Sequence, residues 1–166
     1  MSYMFGQFRV SLGPLFSCVF LLFTVFQVQS PAATATVSAT PAERTALVQS
    51  FATEKLWKWQ QRLSLEDWKI TLEVARASEL KPHTLGNIHW DADRKTAVIH
   101  VLDPADYRMS FPDMLKDVEF TVVHELIHLE LVPVLAPLQR TDANRRDEEH
   151  AVNHMADALL QLDRGQ

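Results

Sequence analysis

His124, Glu125 and His128 interrupt a segment that is otherwise apolar almost all round, with Phe120, Val122, Val123, Leu126, Ile127, Leu129, Leu131 and Val132 about them. Such a segment belongs in a core, as a helix covered on most sides. Positions four apart on a helix lie about one turn apart on the same face, so Thr121, His124 and His128 make one polar stripe inside it. Burying two histidines there without a partner is costly, and a shared metal ion removes the cost. The pattern is H-E-x-x-H, which aims both imidazoles at one ion. Glu125 then stands one residue round the turn, beside the open coordination position where a water would lie. Two histidines, a third ligand and one open position describe a hydrolytic zinc site rather than a structural one, so Zn2+ is the expected metal.

The flanks support a helix. Ser110–Phe111–Pro112–Asp113 offers a capping hydroxyl, a proline in the first turn and an acid at the positive end of the dipole. Pro133 and Pro137 are expected to end it. The third ligand is expected from a second helix, from about Asn144 to Leu162, whose apolar stripe reads Val152, Met155, Leu159 and Leu162. Glu148 and Glu149 stand at its head. Glu149 is the preferred ligand, at the edge of the stripe above Ala156. Glu148, on the middle of the stripe, is the alternate. Asn153, one turn after Glu149, is placed to hold a ligand histidine by its other ring nitrogen. His150 and His154 point away from the stripe.

Thr121–Val122–Val123–His124–Glu125–Leu126–Ile127–His128–Leu129, followed by Glu149–His150–Ala151–Val152–Asn153–His154–Met155–Ala156, resembles the zincin metallopeptidases. Within them it is similar to the gluzincin branch, whose third ligand is a glutamate on a downstream helix, and in size to the minigluzincins and the compact HExxH domains of phage and bacteria. The resemblance spans roughly residues 41–162. It implies a helix, a small sheet, the motif helix and then the glutamate helix. It also implies a sheet-edge strand that binds an extended peptide, and peptide-bond hydrolysis with Glu125 as general base. Glu130 departs from the extended zincin pattern, where that position is usually hydrophobic.

Upstream, Val10 to Val28 is a long uncharged apolar run, followed by a small-residue stretch from Ser30 to Thr40. Residues 1–35 therefore read as a signal peptide, with Ala33–Thr34–Ala35 matching an A-x-A cleavage site, or as an uncleaved membrane anchor through residues 10–28. The domain is expected to be secreted or periplasmic, or membrane-anchored outside the cytoplasm. Cys18, the single cysteine, falls in this leader, leaving His, Asp and Glu as metal ligands in the domain. Only Arg9 of the 16 basic residues precedes Ala42, leaving 15 against all 21 acids, a net charge of about −6. That balance argues against nucleic acid as a partner.

Residues 40–164 read as one α+β domain. Thr40–Pro41–Ala42–Glu43 is a capping box that opens a helix with the stripe Leu47, Phe51, Leu56, Trp59 and Leu63. Lys69–Val74 alternates as a strand with one wet face. Gly86–Trp90 and Thr96–Leu102 flank a hairpin turn at Asp91–Lys95. The expectation is a three-stranded, mostly antiparallel sheet. His83, His89 and His100 are expected at the surface of strands or loops, and the four tryptophans in core or rim packing. The reading is an exported monomeric zinc metallopeptidase acting on protein or peptide. Its alternative is a zinc-stabilised binding domain on the same scaffold, without turnover.

Overall fold

A computed structural model describes residues 39–165, and the expected leader or anchor lies outside them. Six elements follow in chain order: α1 (Pro41–Arg62), β1 (Lys69–Ala75), β2 (Gly86–Asp91), β3 (Thr96–Leu102), α2 (Phe111–Leu135) and α3 (Asp142–Asp163). The α+β class and the order of elements are as expected. Among the described residues no helix is long and apolar enough to cross a membrane.

The sheet differs from the expectation of mostly antiparallel pairing. Its strand order is β1-β3-β2, with β3 antiparallel to β2 but parallel to β1. The chain leaves β1 at Ala75, crosses one end of the sheet and enters β2 at Gly86, leaving a slot that β3 fills after the turn. Ala75 consequently pairs with Leu102, and Gly86 with Val101. β2 is left as an edge strand. Leu72, Ala97, Ile99 and Val101 turn to the helices and are buried, while the other face, carrying Glu73, Asn87, His89 and His100, is more open to water.

Helix ends obey local chemistry. Thr40 and Glu43 form a reciprocal capping box, and Ser110 and Thr141 cap α2 and α3 by accepting from Asp113 and Asn144 backbone N–H groups. Pro133 does not end α2, which continues to Leu135. The proline sits in an exposed final turn, where water can serve the carbonyl that loses its N–H partner.

Two apolar stripes are rotated from their expected positions. α1 buries Val48, Ala52, Leu56 and Trp59, leaving Leu47 exposed. α3 buries Val152, Ala156 and Leu160, leaving Leu162 exposed. In both, small residues face inward because α2 packs closely against them. α2 is the central element, with Met114, Val118, Val122, Val123, Leu126 and Leu129 almost wholly buried. Buried Glu119 ties it to both neighbours: its carboxylate accepts from Trp59 Nε1 at 3.3 Å and meets Lys55 and Arg164, each at 3.5 Å.

Candidate metal centre and cleft

α2 carries Thr121, His124, Glu125 and His128 on the side that faces α3 and the edge strand. His128 and Glu125 are buried, and His124 nearly so. The two Nε2 atoms lie 3.1 Å apart. Each outer nitrogen is held from α3: His124 Nδ1 lies 3.1 Å from Asn153 Oδ1, and His128 Nδ1 lies 3.0 Å from Glu148 Oε1. Both outer partners are acceptors, so each Nδ1 carries the proton and donates it. In the neutral rings both Nε2 atoms are then bare lone pairs, facing one another.

Glu149 completes the arrangement. Its Oε2 lies 3.2 Å from His124 Nε2 and its Oε1 lies 3.6 Å from His128 Nε2. Two lone pairs and a carboxylate turned to one point require a positive charge between them. The spacing fits a metal: ligands about 2.0–2.1 Å from a tetrahedral zinc are about 3.3 Å from one another. His124, Glu125 and His128 likewise offer ligand atoms within 4.8 Å of each other and can hold a metal ion. The pair of imidazoles is therefore bordered by two carboxylates of unlike setting, Glu125 buried and Glu149 with 57% of its side chain exposed.

The protonation energetics follow from this crowding. Hydrogen bonds to His124 and His128 hold the Glu149 carboxyl far below the usual range, against a smaller opposing effect of burial. Burial pulls His128 down, but its hydrogen bond to Glu149 and the charge of Glu125 outweigh that, and its pKa is raised. Burial raises Glu125, with the neighbouring histidines pulling the other way. Without a metal, His128 holds a proton more readily than a free imidazole does.

Glu148, the alternate ligand, is found elsewhere. Its buried carboxylate is spent on the outer nitrogen of His128 and on an ion pair with Arg140, so it does not face the cluster. Helix geometry explains this: Glu148 and Glu149 differ by about 100°, and the turn that aims Glu149 at the Nε2 pair carries Glu148 behind the ring. His150 and His154 are exposed and lie against each other with tilted rings, centroids 4.2 Å apart, away from the cluster.

A cleft of about 440 Å³ opens over the cluster, between the α2–α3 face and β2. Gly86, Ile88 and Trp90 of β2 line it, as do Lys81 and His83 from the preceding loop and Phe120 and Asp117 from α2. No family model, curated protein or solved structure matches the chain.

His83 thus borders the cleft, whereas His89 and His100 pack edge to face on the strands, 5.8 Å apart, with His100 bound to Asn87. Of the tryptophans, Trp59 and Trp68 are core, Trp57 is exposed, and Trp90 lies 40% exposed at the cleft. Gly86 is where the strand comes closest to α2. A Cβ there would collide with the Thr121 methyl group and lie 2.6 Å from the His100 carbonyl oxygen. Sequence reasoning passed over Gly86, Arg140 and Asp117. Asp117 had a signal, since it precedes Thr121 by one helical turn on the same stripe. Arg140 had none, because it reaches Glu148 from an irregular connection.

Proposed function

We propose that this domain is a zinc-dependent metallopeptidase of the zincin type, with His124, His128 and Glu149 as metal ligands and Glu125 as the general base. The observation that carries the reading is the pair of facing Nε2 lone pairs, 3.1 Å apart, with a carboxylate across from both and each outer nitrogen held by a separate acceptor. A bound zinc supplies Lewis-acid polarisation of a carbonyl oxygen and lowers the pKa of water.

The chain's own groups do the rest. Asn153 and Glu148 hold the rings in the tautomer that presents Nε2. Glu125, buried at the cleft floor with a raised affinity for protons, takes a proton from the attacking water and delivers it to the leaving amine, for which a carboxyl poised above its ordinary pKa is suited. Edge strand β2 has a row of backbone groups free of sheet pairing, which suits an extended peptide. The apolar run ahead of the domain supports export, with secretion or anchoring as the two outcomes.

The test is metal analysis of the purified domain together with digestion of a mixed peptide library. About one zinc per chain, and cleavage that disappears with chelator and returns with zinc, is the expected result. Stoichiometric zinc without cleavage of any peptide would instead establish a zinc-stabilised binding domain.

A further inference from the structure

The cleft carries one acid that the proposed reaction does not use. Asp117 lies one turn before Thr121 and two turns before His124, so Asp117, Thr121, His124 and His128 follow one another along the face that borders the cleft. Its Oδ2 accepts a hydrogen bond from the Tyr107 hydroxyl at 2.9 Å. No cation among the described residues pairs with it, since the neighbouring Lys116 is turned to Asp113 at 3.0 Å. Two other acids of the cleft are engaged, Glu148 by His128 and Arg140 and Glu149 by both histidines, and Glu125 is the proposed general base. Half-burial raises the Asp117 pKa despite the tyrosine bond, and burial together with the Asp117 charge raises Tyr107. Trp90 and Phe120 line the same cleft, and aromatic faces attract cations.

We infer that Asp117 is a specificity-determining residue that receives a cationic group of the substrate, an ammonium or a guanidinium. The inference rests on the peptidase reading and names its substrate class: peptides with a lysine, an arginine or a free N-terminal amine near the bond that is cut. Seven residues of helix separate Asp117 from His124 by about 10 Å. An extended peptide covers about 3.3–3.6 Å per residue, so the cationic group belongs about one to three residues from the scissile bond.

The experiment uses the zinc-loaded protein and quenched-fluorescent peptides. Lysine, arginine, alanine or glutamate is placed at each of three positions on either side of the cut, with the N-terminus free or acetylated. At one position, lysine or arginine raises kcat/KM by about 10- to 100-fold over alanine, the range expected for a hydrogen bond to a charged group. In Asp117→Asn that ratio collapses to near one, while Asp117→Glu, which keeps the charge, retains most of it. A preference abolished by acetylation assigns the terminal amine; one that survives acetylation assigns the side chain. Equal rates for lysine, alanine and glutamate at every position would overturn the inference, as would a preference unchanged in Asp117→Asn. If no peptide is cut, the peptidase reading fails on its own and binding decides. Lysine-rich peptides then bind the wild type more tightly than glutamate-rich ones in fluorescence anisotropy, and Asp117→Asn removes the difference. Equal binding of both by the wild type counts against Asp117.

Discussion

Glu148 grips His128 from behind: its Oε1 lies 3.0 Å from Nδ1 while its Oε2 pairs with Arg140. The neighbouring Glu149 reaches the same ring's Nε2 from the front, at 3.6 Å. Adjacent acids on one helix thus address opposite edges of a single imidazole, and substitution separates them. Glu149→Ala removes a proposed ligand, and zinc binding is expected to fall by well over 100-fold. Glu148→Ala frees the ring and is expected to lower zinc affinity by about 10- to 100-fold. Competition titration with a chromogenic chelator measures both. A larger loss for Glu148→Ala than for Glu149→Ala would exchange the two roles.

Glu125→Gln keeps the metal, because the amide occupies the same volume and the Nε2 pair is untouched. Turnover falls by about 10²- to 10⁴-fold, the usual contribution of a positioned general base. Zinc content and kcat measured on the same preparation decide it. Loss of the zinc along with the activity would make Glu125 a ligand.

Proton and metal compete for one place, which sets a pH dependence of opposite sign in the two forms. In the metal-free domain His128 titrates above its ordinary 6.5, so its contribution is full below that value and is lost as pH rises through the folded pKa. Glu149 titrates below its ordinary 4.5, so its contribution is present above that value and is lost as pH falls. The favourable contributions of His128 and Glu149 thus overlap between about pH 4.5 and 6.5, while Glu125, raised by burial, adds an opposing cost as pH rises above its ordinary 4.5. Zinc must displace the His128 proton, so its affinity rises with pH. Thermal melts with chelator and with zinc, from pH 5 to 8, should show a gap in Tm that widens with pH. A gap that narrows would contradict the shared position.

Gly86→Ala forces β2 away from α2, because a methyl group meets Thr121 and the His100 carbonyl. The expected cost is about 1–3 kcal/mol in urea unfolding, with zinc affinity nearly preserved because no ligand lies on β2. Thr121→Ser, which removes the opposing methyl group, recovers part of the loss in the double variant. Additivity of the two changes would show that the clash is not the cause.

Glu119→Leu leaves the buried Trp59 N–H without an acceptor and costs about 1–3 kcal/mol. Glu119→Gln keeps an acceptor for that N–H and costs less. Neither affects zinc stoichiometry, since Glu119 faces α1 and the end of α3. Equal stability losses for the two variants would assign the effect to the ion pairs with Lys55 and Arg164 instead.

The elements most legible in the sequence were those whose signal is local. Capping at Thr40 and Ser110, the alternation along β1 and the H-E-x-x-H spacing each depend on residues within a turn or two of one another, and each appears where the pattern put it. What depends on packing was less legible. Leu47 and Leu162 look like stripe residues by hydropathy, yet Val48 and Leu160 are buried in their place, because close approach to α2 favours the faces that carry Ala52 and Ala156. Strand order escaped because alternation says which face is wet and not which neighbour is chosen. Glu148 and Glu149 could be ranked from the helical wheel, but the function of Glu148 could not, since it depends on the depth of the His128 ring and on Arg140.

His124 and Glu149 meet although a whole turn-and-helix connection separates them in the chain. A metal gripped by both would be a covalent-like staple between α2 and α3, closing a loop in a domain that has no cysteine with which to form a disulfide. Loop-closure entropy puts such a staple at about 3 kcal/mol for a loop of this size, before any enthalpy of ligation. Chelation would then do to this domain what reduction does to a disulfide-bonded one: the last helix, fastened otherwise by Val152, Ala156 and Leu160 and by the Asp163 ion pairs to Lys58 and Arg62, would be the first part to come loose.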